Sequence, residues 1–382
     1  AAGNPSAETS CERLAVGLEG YANDLQLQHG RDAMTNRSAI PLRRRSALLG
    51  GAALLAAPAL VRAQERVVNV YSSRHYDTDR ALYDGFTEVS GGVRVRLIEG
   101  DADQLIERIR NEGANSPADV LVTVDAARLV RAMDAELLVP VKSQVLESRI
   151  PAHLRDPDGY WFGLSKRARV LIVPKDWTPP KPLARYEDLA DPAFRNTILV
   201  RTSNHVYNIS LAGSILAANG EAGLEAWARG VVANMARPPQ GGDTPQIMAV
   251  AAGQGRIAIS NTYYFARLLR SSKAEEKTAA EKLKVIFPNQ ADRGTHVNIS
   301  GAGVVRTAPN REAAQAFIEY LTSIKAQEMF ANGNNEYPVV DEVNVVPEVA
   351  AWGRFKEDRL NATAYAKNGA QALAIMQRAG WR

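Results

Sequence analysis

Leu164-Ser165-Lys166-Arg167-Ala168-Arg169-Val170-Leu171-Ile172-Val173, stopped by Pro174, reads as one long extended segment. Val297–Val305 reads as a second. Between them lies an α/β pattern, with strands over 197–201, 256–260 and 283–287. Helices are expected near 207–218, 222–235, 245–253 and from about 263. Two long extended segments that flank an α/β unit look like two crossings between lobes. Upstream, the run Val67-Val68-Asn69-Val70-Tyr71 predicts a buried strand, followed by a helix over 77–90. A half-buried strand follows over 93–97. Ala102, Leu105, Ile106 and Ile109 then recur at helical spacing, and Gly113 stops that helix. A strand over 119–124 and a helix to about Met133 complete a β-α-β-α-β-α order, which implies a parallel sheet with right-handed crossovers. A helix over 311–332 follows the second crossing. The fold class is α/β, without internal repeat.

The chain has 382 residues, enough for two domains. Its 46 Lys and Arg against 42 Asp and Glu give a net charge of +4, too small an excess for a polybasic nucleic-acid binder. The one cysteine, Cys11, excludes an internal disulfide, a thiolate zinc site and an iron–sulfur site. With 5 His and 12 Tyr, a metal site must lean on oxygen and a little imidazole.

Met34 is the first methionine, and Arg43-Arg44-Arg45 precedes an apolar stretch from Ser46 to Leu60 that ends in Val61-Arg62-Ala63. A positive start, a short apolar core and an A-x-A-like end describe a secretory signal over 34–63, with 1–33 as an unstructured upstream segment. The arginines admit either twin-arginine or general secretory export. Removing residues 1–63 takes away seven basic and five acidic residues and the cysteine, so the exported chain carries +2.

Three loops share one placement. His75-Tyr76, Tyr207 and Tyr263-Tyr264 each follow a predicted strand and open a predicted helix. Ligands of open α/β sheets bind beyond the carboxyl ends of the strands, where helix N-termini favour negative charge. An isolated tyrosine is ordinarily a core or rim residue; the joint placement is what points to a site. Phenol ionises near pH 10, but a trivalent cation favours the phenolate, a hard anionic donor suited to Fe³⁺. Three phenolates neutralise Fe³⁺ and four leave one negative charge. Arg267, on the helical face of Tyr263 and Tyr264, and Arg167, on the first crossing, are the candidates to offset it.

Seven segments form a set: Val70-Tyr71-Ser72-Ser73-Arg74-His75-Tyr76, Asn115-Ser116-Pro117-Ala118-Asp119-Val120, Gly163-Leu164-Ser165-Lys166-Arg167-Ala168-Arg169-Val170 and Arg201-Thr202-Ser203-Asn204-His205-Val206-Tyr207-Asn208, with Ser260-Asn261-Thr262-Tyr263-Tyr264, Asn298-Ile299-Ser300-Gly301-Ala302-Gly303 and Asn335-Glu336-Tyr337-Pro338. Together they resemble the bacterial periplasmic ferric-binding proteins, the solute receptors of iron ABC transporters, and in particular their tyrosine-rich subgroup.

The resemblance covers essentially all of 64–382. It implies a type II periplasmic-binding fold, with 64–165 and 292–351 as one lobe and 166–291 and 352–382 as the other. It implies Fe³⁺ in the cleft, held by Tyr76 from the first lobe and Tyr207, Tyr263 and Tyr264 from the second. His75 matches a histidine that some members use as a further ligand. Other members complete the coordination with carbonate or another anion, and that remains open here. A permease and an ATPase in the inner membrane are the implied partners of a monomeric, non-enzymatic receptor. The alternative is a receptor of the same fold for an anion such as a phosphonate, which a cleft rich in arginine would favour.

Other signals are bland. Asp125 caps a helix or borders the cleft, His205 reads as a solvated loop histidine, and His153 and His296 have no partner in sequence. No nucleophile elbow, phosphate-binding loop or dinucleotide fingerprint is present.

Overall fold

The computed structural model describes residues 66–74 and 76–382. The upstream segment, the export signal, Cys11 and His75 lie outside the described residues. The elements run β1 (Val67–Ser72), α1 (Asp79–Val89), β2 (Arg94–Glu99), α2 (Ala102–Glu112), β3 (Val120–Thr123), α3 (Ala126–Asp134), β4 (Leu138–Val139), α4 (Gln144–Arg149) and β5 (Phe162–Pro174). Then come β6 (Ile198–Leu199), α5 (Val206–Asn234), α6 (Asp243–Ala251), β7 (Ile257–Asn261), α7 (Thr262–Leu269), α8 (Ala274–Glu281), β8 (Leu283–Ile286) and β9 (Val297–Val305). The chain ends with α9 (Arg311–Leu321), α10 (Ile324–Asn334), β10 (Tyr337–Pro338), α11 (Pro347–Ala350), α12 (Ala362–Lys367) and α13 (Gly369–Arg378).

The strand order β2-β1-β3-β9-β5-β7-β6 has two parallel ends and an antiparallel middle. β5 is buried along its whole length, Lys166, Arg167 and Arg169 included. It changes partner midway: Phe162–Ala168 pair with β9, and Arg169–Pro174 pair with β7 and β8. The expected crossing is therefore physical, because one strand serves both halves of the sheet. The larger apolar cluster runs through both halves, with Val68, Val70, Leu121 and Phe317 from the first and Leu199, Ile247 and Phe265 from the second. A second cluster, with Leu171, Ile259, Trp227, Ile375 and Trp381, lies within the second half. The C-terminal helix thus packs with the second half.

Two local details follow. The helices expected on either side of residue 220 are both present: α5 spans the pair, broken where Gly220 leaves helical geometry with φ 69°. That left-handed backbone disfavours any residue with a Cβ. The single helix expected over 311–332 is instead two, α9 and α10. Ser323 is extended and its side chain accepts the Ala326 amide, which starts a new helix.

Candidate metal centre

The tyrosines stand where strands hand over to helices. β6 and β7 are parallel, so their carboxyl ends share one edge. From that edge α5 starts with Tyr207 as its second residue, and α7 with Tyr263 and Tyr264 as its second and third. Asn208 ties the α5 start to the preceding loop by donating to the Arg201 and Thr202 carbonyls at 2.9 and 3.0 Å. The result brings three phenols together. The Tyr207 and Tyr263 hydroxyls are 2.9 Å apart, and the Tyr263 and Tyr264 rings pack with centroids at 4.3 Å. The Tyr207 and Tyr264 rings lie at 6.5 Å.

Beneath this trio lies a buried ion pair. Arg169 of β5 donates to Asp243 at 2.5 Å, to Asn261 at 3.1 Å and to Asn208 at 2.9 Å. Asp243 also accepts from Arg201 at 3.3 Å and from the Asn261 amide at 2.9 Å. One carboxylate thus fixes the starts of both α5 and α7 relative to β5.

Tyr76 follows β1 in the other half of the sheet. Its ring lies 4.9 Å from the Arg74 guanidinium, which donates to both Asp79 oxygens at 2.8 and 3.2 Å, to Ser300 at 2.8 Å and to Glu336 at 3.0 Å. Arg74, Asp79 and Glu336 are all nearly inaccessible to solvent.

Burial holds the Tyr76, Tyr207 and Tyr263 hydroxyls above the ordinary phenol range, so they are protonated at neutral pH. Negative charge on Tyr76 would further raise Tyr207 and Tyr263, and charge on Tyr264 would raise Tyr76. The four phenols therefore share one electrostatic site. Arg167 opposes the effect at Tyr76, Tyr207 and Tyr263. Its guanidinium is 2% exposed, donates Nη2 to the Val124 carbonyl, and leaves Nε and Nη1 without a partner. Those two N–H groups are available to acceptors in the tyrosine cluster. Arg267 is exposed, with its guanidinium 5.8 Å from the ring centroids of both Tyr263 and Tyr264.

The histidines differ from expectation. His205 is not a solvated loop residue: it is half-buried, its Nδ1 accepts the Tyr207 amide at 3.3 Å, and its ring meets Tyr207 edge-on at 4.4 Å. Burial, then Arg201 and Arg169, hold it neutral with a pKa of about 3. His153 pairs with Glu357 at 3.3 Å, and His296 meets Ser210 at 2.6 Å. Asp125 caps α3 through the Ala127 amide at 2.8 Å and also accepts from Asn298 at 2.7 Å. Arg74, Arg169, Asp243 and Glu336 support the site without having been singled out from sequence. The available signal was an arginine inside the β5 run and another two residues past the end of β1, each demanding a counter-charge if buried.

Among the described residues no group of three or more His, Cys, Asp or Glu could hold a metal ion. The tyrosine cluster offers hard oxygen donors backed by a buried cation, which suits a hard, highly charged metal ion. The arginine-dominated cleft that an anion receptor would need is not what converges here.

The profile of the family described as bacterial extracellular solute-binding protein matches residues 115–359. Iron uptake protein A2 of Synechocystis is 50% identical over 346 residues, 89% of this chain and 98% of that protein. Iron uptake protein A1 of Synechocystis is 50% identical over 319 residues, 84% of this chain and 88% of that protein. The solved structure of FutA (IdiA) from Trichodesmium, in complex with iron and citrate, is 53% identical with a TM-score of 0.80, covering 83% of this chain and all of that one. The chain belongs to the bacterial extracellular solute-binding proteins, within their FutA-like ferric-binding branch.

Proposed function

We propose that this protein is a periplasmic receptor that takes up Fe³⁺ through Tyr76, Tyr207, Tyr263 and Tyr264 and passes it to an ABC permease and its ATPase. The observation that carries this reading is the convergence of three phenols, two of them 2.9 Å apart, beside a buried arginine with unpartnered N–H groups. Relatives named for iron uptake and a neighbour bound to iron support it. The lobes are 64–165 with 292–351 and 166–291 with 352–382, with β5 and β9 as crossing strands. Tyr207, Tyr263 and Tyr264 bind first, and Tyr76 joins as the lobes close. His75, outside the described residues, stands next to Tyr76 as the further candidate ligand.

Ferric iron must displace the phenol protons, since burial keeps them on. Four phenolates would leave the site at −1, which Arg167 balances from within and Arg267 from the rim. An anion such as carbonate has less to contribute where four anionic ligands already bind. Nothing in this scheme requires bond-making chemistry, so the protein acts as a carrier and not as an enzyme.

Phenolate-to-iron charge transfer absorbs visible light. The exported chain should turn coloured on addition of ferric iron and bleach with a strong chelator or a reductant. If the variant with Phe at 76, 207, 263 and 264 takes up Fe³⁺ with unchanged affinity, the assignment is wrong.

A further inference from the structure

On the other side of β5 from the tyrosines lies a cavity of about 1450 Å³. Neighbouring residues of a strand point to opposite faces. Arg167 faces the tyrosine cluster, and Lys166 lines this cavity. The remaining walls come from the segment 151–157, from 292–293, from Asp341 and from the segment 354–361. A second hollow of about 530 Å³ adjoins it and shares Lys166, Asp341, Arg354, Phe355 and Glu357.

The cavity is cationic, and its cations divide into two groups. Lys166 is matched by Glu357 at 2.8 Å, and Arg293 by Glu187 at 2.8 Å. Lys356 donates to the Asp292 carbonyl. Arg155, Arg354 and Arg359 line the same cavity and have no carboxylate partner among the described residues; Arg155 donates Nε to the Ile150 carbonyl at 3.2 Å. Of the lining carboxylates, Glu357 is already engaged with Lys166 and His153, and Asp292 accepts from Asn289 at 3.2 Å. By ion pairing, Asp292 and Asp341 have no cationic partner among the described residues, so three unpaired arginines and Lys356 face two unpaired acids and the cavity keeps a net positive charge. Phe355, stacked on Phe287 at 4.4 Å, gives the wall a rigid apolar face.

Each guanidinium presents a planar fork that fits carboxylate or phosphate oxygens in pairs. Three such forks around one hollow exceed what a monovalent ion needs. We propose that this cavity is a second binding site, for a small multivalent anion bearing carboxylate or phosphate oxygens, gripped by Arg155, Arg354 and Arg359. The site rests on no part of the iron reading.

The test is calorimetric titration of the iron-free exported chain at physiological ionic strength, with tricarballylate as the carboxylate probe and pyrophosphate as the phosphate probe. At least one should bind with one-to-one stoichiometry, and the stronger names the ligand class. Arg354→Glu with Arg359→Glu should weaken it by about tenfold or more, as expected for lost charge-assisted hydrogen bonds. Both residues are exposed, so the variant should fold, which an unchanged melting temperature verifies. Binding should persist when Tyr207, Tyr263 and Tyr264 are all Phe. No heat with either probe overturns the proposal, as does binding that ignores the arginine changes. Binding lost only in the tyrosine variant would place the anion at the tyrosine cluster and also overturn it.

Discussion

The two flanks of the tyrosine site are built on the same plan and differ in how tightly they are assembled. Each rests on a buried arginine paired with a buried aspartate: Arg74 with Asp79 under Tyr76, and Arg169 with Asp243 under Tyr207. On the second flank, three phenols from two helix starts touch one another, and one carboxylate clamps both helices to β5. On the first flank a single tyrosine sits in a loop, oriented by the guanidinium below its ring. A preassembled trio can receive an ion with little reorganisation, whereas a lone loop residue completes a site that already exists. The same difference orders the expected losses.

The largest effect should come from the trio. Replacing Tyr207, Tyr263 and Tyr264 with Phe should abolish the visible ferric band, whereas Tyr76→Phe should leave a coloured protein with weakened, chelator-sensitive binding. A competition titration against a chelator reads both. If Tyr76→Phe removes the colour as completely as the triple change, the flanks are equivalent and the ordered scheme is wrong.

Next come the clamps. Asp243→Asn leaves Arg169 with only the neutral Asn261 and Asn208 acceptors and frees Arg201, and removing one partner of a buried pair costs about 3–5 kcal/mol. Asp79→Asn should cost less, because Arg74 keeps Glu336 and Ser300 as acceptors. Urea unfolding of the two variants decides the order; equal losses would mean that the Glu336 pairing carries no compensation.

These clamps also show where sequence reading stops. The strand β5 was legible because an apolar run ended by proline needs no knowledge of the rest of the chain. The tyrosines were legible because strand-to-helix junctions are local. Asp243 was not, since it meets Arg169 across 74 positions and sits at the start of a helix that looks ordinary in sequence. Glu336 meets Arg74 across 262 positions. The break at Ser323 lay in plain view as a capping residue, but the apolar spacing on both sides concealed it.

Behind the trio, His296 is buried between β9 and α5, against Ser210 and the Tyr365 ring. Burial, then Arg169 and Arg293, lower its pKa to about 3. Between that value and the ordinary value of about 6.5, the unfolded chain takes a proton that the folded protein refuses. Stability therefore falls as pH drops through this window, by at most about 1.4 kcal/mol per pH unit from this one group. His296→Asn should flatten that slope in denaturation series run at stepped pH. A slope unchanged in the variant would assign the acid sensitivity to other groups.

The smallest effect should come from the rim. Arg267 carries the same charge as Arg167, but it is exposed, and its guanidinium stands 5.8 Å from both ring centroids of α7. A cation over an aromatic face at an exposed site is worth about 0.5–1 kcal/mol, a few-fold in affinity, and salt screens it further. Arg267→Gln should accordingly weaken ferric binding a few-fold at low ionic strength and hardly at all at high. Arg167→Gln should keep its larger effect at both, because its guanidinium is shut away from counter-ions. If Arg267→Gln proves as damaging as Arg167→Gln at high salt, the charge on the iron is balanced from the rim. The buried arginine would then serve to hold Val124 and its loop rather than the metal.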